Sequence, residues 1–224
     1  MQHKNQHIIT GGVYLIADAS LEKKELMEKL HQAISGGVTI VQLYNTTDEH
    51  LVTISDINEI CEFCHRKNVP VMVNNNWALL NDTLLDGVHF DKIPTNFRQI
   101  EGLIKKPFIK GITCTNDLDI VRWAIDFKFD YISFCSIFPA KNSVSADVVC
   151  HKVVLKARSL TDIPFFVSGG INLDNVSLLS DLPVNGIAMI SGIMASSDVI
   201  NATKKYLFHL DKIISPKGSI EVPD

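Results

Sequence analysis

Eight short apolar runs recur along the chain roughly 25 residues apart, and none of them alternates with polar residues. They cover residues 13–17, 38–43, 70–74, 87–90, 108–113, 131–134, 164–167 and 187–190. Runs of this kind belong to strands buried on both faces, which means a parallel sheet covered by helices. Helical stripes lie between them. Leu26, Met27, Leu30, Ala33 and Ile34 share one face, and Ile57, Ile60, Cys61 and Cys64 share another. Leu118, Val121 and Ile125 form a third, and Val199, Thr203, Tyr206, Leu207 and Leu210 a fourth. Asp18 and Ser20 are expected to start the first helix, Thr115 and Asn116 the fifth, and Asn172 with Asp174 the seventh. A fourth helix is expected over 95–106, where the pattern is poor. Eight strand–helix units predict an α/β fold, a single (β/α)8 TIM barrel spanning residues 1–224, with 1–11 and 215–224 as flexible ends. A doubly wound open sheet is the alternative, because periodicity does not report closure.

Composition narrows the partners. A chain of 224 residues that is 46% hydrophobic and 21% charged buries one substantial core. A formal net charge of −4 argues against nucleic acid or an anionic membrane as partner. No apolar run reaches the roughly 18–20 residues that span a bilayer. Residues 1–7 lack the apolar segment of a signal peptide, so the five cysteines are expected in a reducing, cytoplasmic setting. Cys61-Glu62-Phe63-Cys64-His65 matches the spacing for covalent haem attachment, but both cysteines fall on the apolar helix stripe and read as core. No second pair of cysteines or histidines has the spacing that would make this segment a zinc site. Cys114, Cys135 and Cys150 read first as small buried or loop residues, with Cys114 and Cys135 close enough to strand ends to line a pocket.

In such a barrel the chemistry sits at the C-terminal ends of the strands. The last two runs end in glycine loops, Ser168-Gly169-Gly170-Ile171-Asn172 and Ile190-Ser191-Gly192. Two neighbouring loops of this kind present backbone N–H groups to one anion, and the absent Cβ lets the oxygens approach. Gly169, Gly170, Ile190 and Ser191 are the candidate phosphate site. The remaining rim consists of Asp18, Gln42, Tyr44, Asn45, Asn74, Asn75, Asn76, His89, Asp91, Thr113, Thr115, Ser136, Phe138, Lys141, Asn142 and Ser143. It is rich in amides and hydroxyls and poor in charge, so it suits a phosphate-bearing polar molecule better than a magnesium diphosphate.

Ordered along the chain, Val13-Tyr14-Leu15-Ile16, Gly36-Gly37-Val38-Thr39-Ile40-Val41-Gln42-Leu43, Val73-Asn74-Asn75 and Asp86-Gly87-Val88-His89 resemble strands one to four of the thiamine phosphate synthase and thiazole tautomerase superfamily. Gly111-Ile112-Thr113, Asp130-Tyr131-Ile132, Ser136-Ile137-Phe138-Pro139, Ser168-Gly169-Gly170-Ile171 and Gly186-Ile187-Ala188-Met189-Ile190-Ser191 continue the resemblance, which covers about residues 12–210. It implies a thiazole phosphate bound by the last two loops. It also implies an aminopyrimidine methyl diphosphate that ionises with loss of magnesium-bound pyrophosphate, after which the thiazole nitrogen captures the pyrimidine cation to give thiamine phosphate. Under that reading Gln42, Asn74, Thr113 and Lys141 are the catalytic candidates. Tyr44, His89, Ser136 and Asn142 line the pocket, and Asn75 and Asp91 are the candidate ligands for Mg2+. The partners implied are small phosphorylated thiazole and pyrimidine ligands and a second copy of the chain in a homodimer.

The departures from the family pattern fall on the diphosphate side. The family follows its Gln-Leu with an arginine and then a lysine, where this chain has Tyr44, Asn45 and Thr46. Its strand-three Asn-Asp is Asn74-Asn75 here, and Asp91 replaces its later acidic ligand only if the loop shifts. Pro139-Ala140-Lys141-Asn142-Ser143 keeps one displaced lysine and loses a hydroxyl, while Thr113 replaces a serine. Removing such groups costs roughly 2–4 kcal/mol of transition-state stabilisation each, so reduced synthase activity is expected. The tautomerase branch places a histidine where Ser136 stands, and serine is a poor acid or base near neutral pH. His89 is the nearest rim histidine, and it reads first as structural. A non-catalytic thiazole-phosphate binder or regulator is the alternative function.

Overall fold

The computed structural model describes residues 7–45, 52–139 and 148–214. Its eight strands are β1 (Gly12–Asp18), β2 (Val38–Tyr44), β3 (Val71–Asn74), β4 (Gly87–Phe90), β5 (Ile109–Cys114), β6 (Tyr131–Cys135), β7 (Phe165–Ser168) and β8 (Gly186–Met189). All neighbours pair in parallel, and β8 pairs with β1 from Gly12↔Gly186 to Leu15↔Met189. That last pairing closes the barrel and excludes the open sheet. The strands form where the apolar runs predict them because each is covered outside by helices and inside by its neighbours across the barrel.

Helices α1 (Lys23–Gly36), α2 (Ile54–His65), α3 (Phe97–Leu103), α4 (Leu118–Asp126), α5 (His151–Arg158), α6 (Ser191–Met194) and α7 (Val199–Ile214) surround the sheet. The predicted stripes are their buried faces: α1 buries Leu26, Leu30 and Ala33, and α7 buries Val199, Thr203, Tyr206 and Leu210. Cys61 and Cys64 are buried in α2 with Ile57 and Ile60, as core residues. Among the described residues no helix is long and apolar enough to cross a membrane.

Local starts differ from expectation for identifiable reasons. Glu22, not Asp18 or Ser20, caps α1, accepting from the Glu25 N–H at 3.3 Å. Asp18 is engaged elsewhere, by the Ser20 backbone N–H and the Asn45 amide. Asp117 rather than Thr115 or Asn116 caps α4, while Asn116 ties down the chain before α5 through Val148 O and Cys150 N–H. Asn172 and Asp174 open a 3-10 segment, Val176–Asp181, instead of an α-helix. The Asn172 side chain takes the Asp174 and Asn175 N–H groups into a local turn, which competes with helical pairing. A second 3-10 segment, Trp77–Asn81, follows β3.

Two cores result. The larger lies between sheet and helices; the smaller fills the barrel with Ile9, Tyr14, Ile40, Met72, Ile109, Tyr131, Phe166 and Ala188. Tyr14, Tyr131 and Phe166 meet edge to face with centroids 5.5–5.7 Å apart. Three rings fit because the neighbouring inward position on β5 is Gly111, where a Cβ would overlap the Tyr131 ring. Gly111→Ala is therefore expected to destabilise the fold by about 1–3 kcal/mol through overpacking. Gly102→Ala, on exposed α3 with open space at its Cβ, should be neutral or stabilising by up to about 1 kcal/mol. Urea unfolding of the two variants measures both.

Candidate active site

Inward-facing residues at the C-terminal ends of the strands are polar, and closure of the barrel leaves them only each other as partners inside the wall. They form one chain of hydrogen bonds. Asn74 and Asn75 both donate from Nδ2 to Asp91 Oδ2, at 3.0 and 2.6 Å. Gln42 Nε2 donates to Asn74 Oδ1 at 2.8 Å, and the Tyr14 hydroxyl donates to Gln42 Oε1. Tyr14 and Tyr131 hydroxyl oxygens lie 2.8 Å apart. His89 reaches the Tyr131 oxygen with Nδ1 at 3.0 Å and Thr113 Oγ1 with Nε2 at 2.8 Å.

The protons in this chain have a single consistent order. A carboxylate only accepts, so Asn74 points its amide N–H at Asp91 and its oxygen at Gln42. Gln42 must then accept from Tyr14, whose own oxygen is left to accept from Tyr131. Tyr131 in turn accepts the Nδ1–H of His89. Burial pushes the His89 imidazole down to about 4, only partly offset by the Asp91 charge, so the ring is neutral and Nε2 accepts the Thr113 hydroxyl proton. Every donor points from Thr113 toward Asp91. Burial also raises the tyrosine phenols well above their ordinary range, Tyr14 further through its contact with Tyr131 and the Asp91 charge, so both remain protonated donors.

Asp91, just past β4, thus meets Asn74 and Asn75 at the end of β3. Asn75 sits at φ 54°, a left-handed conformation that asparagine tolerates, and its Oδ1 accepts the Asp91 N–H at 2.9 Å. Tyr44 and Asn45, at the end of β2, lie apart from this cluster and beside Asp18 at the end of β1. Asn45 donates to Asp18 at 3.0 Å, and Tyr44 hydrogen-bonds the same carboxylate, which with burial raises the phenol.

A second cluster occupies the mouth between β6, β7 and β8. A cavity of about 330 Å³ is lined by Ser136, Ser168, Gly169, Gly170, Ser191 and Gly192, among others. Gly169 and Gly170 have φ of 85° and 69°, and a Cβ on Gly169 would strike Ser136 Oγ. The carbonyls of Ser168, Gly169 and Gly170 are taken by Ile137 N–H, Phe138 N–H and Asn175 Nδ2. Because trans peptides orient N–H opposite to C=O, the N–H groups of Gly169, Gly170 and Ile171 turn the other way. Opposite them Ile190 precedes α6, whose first N–H groups have no partner within the helix. The arrangement can hold an anion through backbone donors alone.

Gln42, Asn74, Asn75, His89, Asp91 and Thr113 are therefore brought together in one cluster, and Ser136, Gly169, Gly170, Ile190 and Ser191 in another. Lys141 and Asn142 lie outside the described residues. Cys135 lines the cavity, whereas Cys114 is buried. Tyr14 and Tyr131 are missing from the candidates read in the sequence, where each looks like an ordinary aromatic strand residue. A hydroxyl on an inward position of two strands is the only available signal, and it is visible once register is known.

A family model described as thiamine monophosphate synthase matches residues 13–193. A thiamine-phosphate synthase of Thiobacillus denitrificans is 26% identical over 192 residues, covering 86% of this chain and 91% of that one. A thiamine-phosphate synthase of Clostridioides difficile is 29% identical over 197 residues, covering 87% and 92%. Among solved structures, a thiamine phosphate pyrophosphorylase from Pyrococcus furiosus superposes with a TM-score of 0.75 at 23% identity, covering 91% of this chain and 96% of that one, a likeness of fold.

The depressed His89 has a consequence for stability. The unfolded imidazole binds a proton as pH falls through about 6.5, while the folded one refuses it until about 4. Stability is therefore present above 6.5 and lost on acidification between 6.5 and 4, by up to about 3 kcal/mol from this group. His89→Gln should be less stable at pH 7 but lose less stability across that window, as followed by urea unfolding at stepped pH.

Proposed function

Because the chain belongs to the thiamine monophosphate synthase family, we propose that it is a transferase of thiamine biosynthesis that joins a thiazole phosphate to an aminopyrimidine methyl diphosphate. The observation that carries this reading is the pairing of a backbone N–H cradle at β7 and β8 with an amide, imidazole and carboxylate cluster on β2 to β5 of the same barrel mouth.

The cradle suits the phosphate of the thiazole. Gly169 and Gly170 supply N–H donors at positive φ where a side chain would be strained, and the first turn of α6 adds donors from the facing strand. The opposite cluster suits the aminopyrimidine. The Thr113 proton is committed to His89 Nε2, so its oxygen is left as an acceptor for the exocyclic amine. Gln42 spends one N–H on Asn74 and has a second for a ring nitrogen. Both are held by partners that are themselves held, so little reorganisation accompanies the reaction. His89, neutral and hydrogen-bonded at both nitrogens, orients Thr113 rather than moving a proton.

A divalent cation fits this donor set. The hard oxygen ligand there is the Asp91 carboxylate, since Asn75 turns Nδ2 to it and its Oδ1 accepts the Asp91 N–H, and magnesium is commonly held by one or two carboxylates plus substrate phosphates. When bound, magnesium supplies positive charge to the departing diphosphate. Turnover is slow in this reading, because Tyr44 and Asn45 face Asp18 where the family places cations. Each missing cation removes roughly 2–4 kcal/mol of transition-state stabilisation.

Purified protein incubated with magnesium and both substrates should form thiamine phosphate, at a rate lowered by about two orders of magnitude or more in Asp91→Asn. Gly170→Ala should raise the KM for the thiazole phosphate with a smaller effect on kcat. Absence of product in the unaltered protein refutes the transferase reading. If the thiazole phosphate still binds, the protein is a binder of that compound.

A further inference from the structure

The strand ends opposite the mouth carry a second cluster of donor atoms. His65 ends α2, Asp86 immediately precedes β4, and His7 lies on the segment that enters β1. One ligand atom from each of the three lies within 4.8 Å of the others. His65 Nε2 stands 2.7 Å from Asp86 Oδ2, and the His7 and His65 rings are 5.8 Å apart at 30°. We propose that His7, His65 and Asp86 bind a divalent transition-metal ion, such as zinc, at the N-terminal end of the barrel.

The donor set fits that class of ion. Two imidazoles with one carboxylate form a three-ligand set for zinc, with the fourth position left to water, and imidazole disfavours magnesium or calcium. Tetrahedral bonds of about 2.0–2.2 Å put donor atoms roughly 3.3–3.5 Å apart. Binding therefore opens the 2.7 Å contact between His65 and Asp86 and settles the three donor atoms at that spacing. The surrounding support is already built. The Val71 N–H donates to Asp86 Oδ2 at 2.8 Å, and the Asp86 backbone pairs with Val71 and Ile109. These bonds hold the carboxylate as an outer-shell partner holds a ligand. His65 and Asp86 side chains are each 13% exposed, and a cavity of about 540 Å³ lined by His7, Ile9, Thr39, Asn68 and Pro70 gives an entry path.

The site has a mechanical role. Ile9, two residues beyond His7, is buried in the barrel's interior core with Tyr14, Met72 and Phe166. An ion bridging His7 to α2 and the start of β4 fastens this plug across the closed end of the barrel. The haem-like spacing around Cys61 and Cys64 is unrelated to it, since both cysteines are buried and only His65 takes part.

Isothermal titration of untagged, metal-free protein with zinc chloride tests the proposal without any substrate. It should show a saturable site with one zinc per chain and a zinc-dependent rise in Tm. His7→Ala and His65→Gln should each weaken that site by more than the roughly 10–100-fold cost of losing an outer-shell partner. His7→Ala lies outside every strand and helix, so it should keep the metal-free Tm of the parent protein. Absence of saturable zinc binding, or an affinity unchanged by either substitution, overturns the assignment.

Discussion

Closure of the β8–β1 edge is the constraint on which the rest depends. Once the barrel is sealed, polar side chains on inward strand positions lose bulk water and must satisfy one another or carry the full cost of burial. Gln42, His89, Tyr14 and Tyr131 meet that requirement in one chain that runs from Thr113 to Asp91. A carboxylate at one end sets the direction of every donor, so the tautomer of a histidine several side chains away follows from a single charge. The same chain leaves acceptor capacity on Thr113 and a donor on Gln42 at the mouth, where a polar heterocycle can use them.

The two halves of the mouth solve different problems. At β7 and β8 the donors are main-chain N–H groups, and their orientation depends on carbonyls already bonded to the β6 loop and Asn175. Side-chain identity matters there mostly by its absence, as at Gly169 and Gly170. On β2 to β5 the opposite holds, since the chemistry lies in side chains whose geometry is fixed by mutual hydrogen bonding. Below both, the interlocked rings of Tyr14, Tyr131 and Phe166 form a floor, and Gly111 makes room for it. Tyr14 and Tyr131 belong to floor and network at once.

Strand positions were legible in the sequence because burial on both faces leaves an unbroken apolar run, a pattern that needs no knowledge of partners. Helix stripes were legible for the same reason. Helix starts were less so, because capping is a competition among nearby polar groups. Asp18 looks like a cap for α1 until Asn45, from the next strand's end, draws it away. Asn172 looks like a helix start, yet its side chain closes a local turn that favours a 3-10 segment. Glycine loops at β7 and β8 were readable because φ of 85° and 69° at the cradle leaves few residues but glycine. The direct contact of Asp91 with Asn74 and Asn75 was not, since it depends on how β3 and β4 align. Tyr14 and Tyr131 were not legible as site residues because a phenol in a strand reads as a hydrophobe, and only closure shows that their hydroxyls meet.

The direction of the hydrogen-bond chain is read most directly from the 15N NMR spectrum of His89, recorded on labelled protein from pH 7 downward with His89→Gln to assign the signals. The donor order requires a neutral ring with the proton on Nδ1 that persists until the pH approaches about 4. A proton on Nε2, or titration near the ordinary value of about 6.5, would contradict the donor order from Thr113 to Asp91.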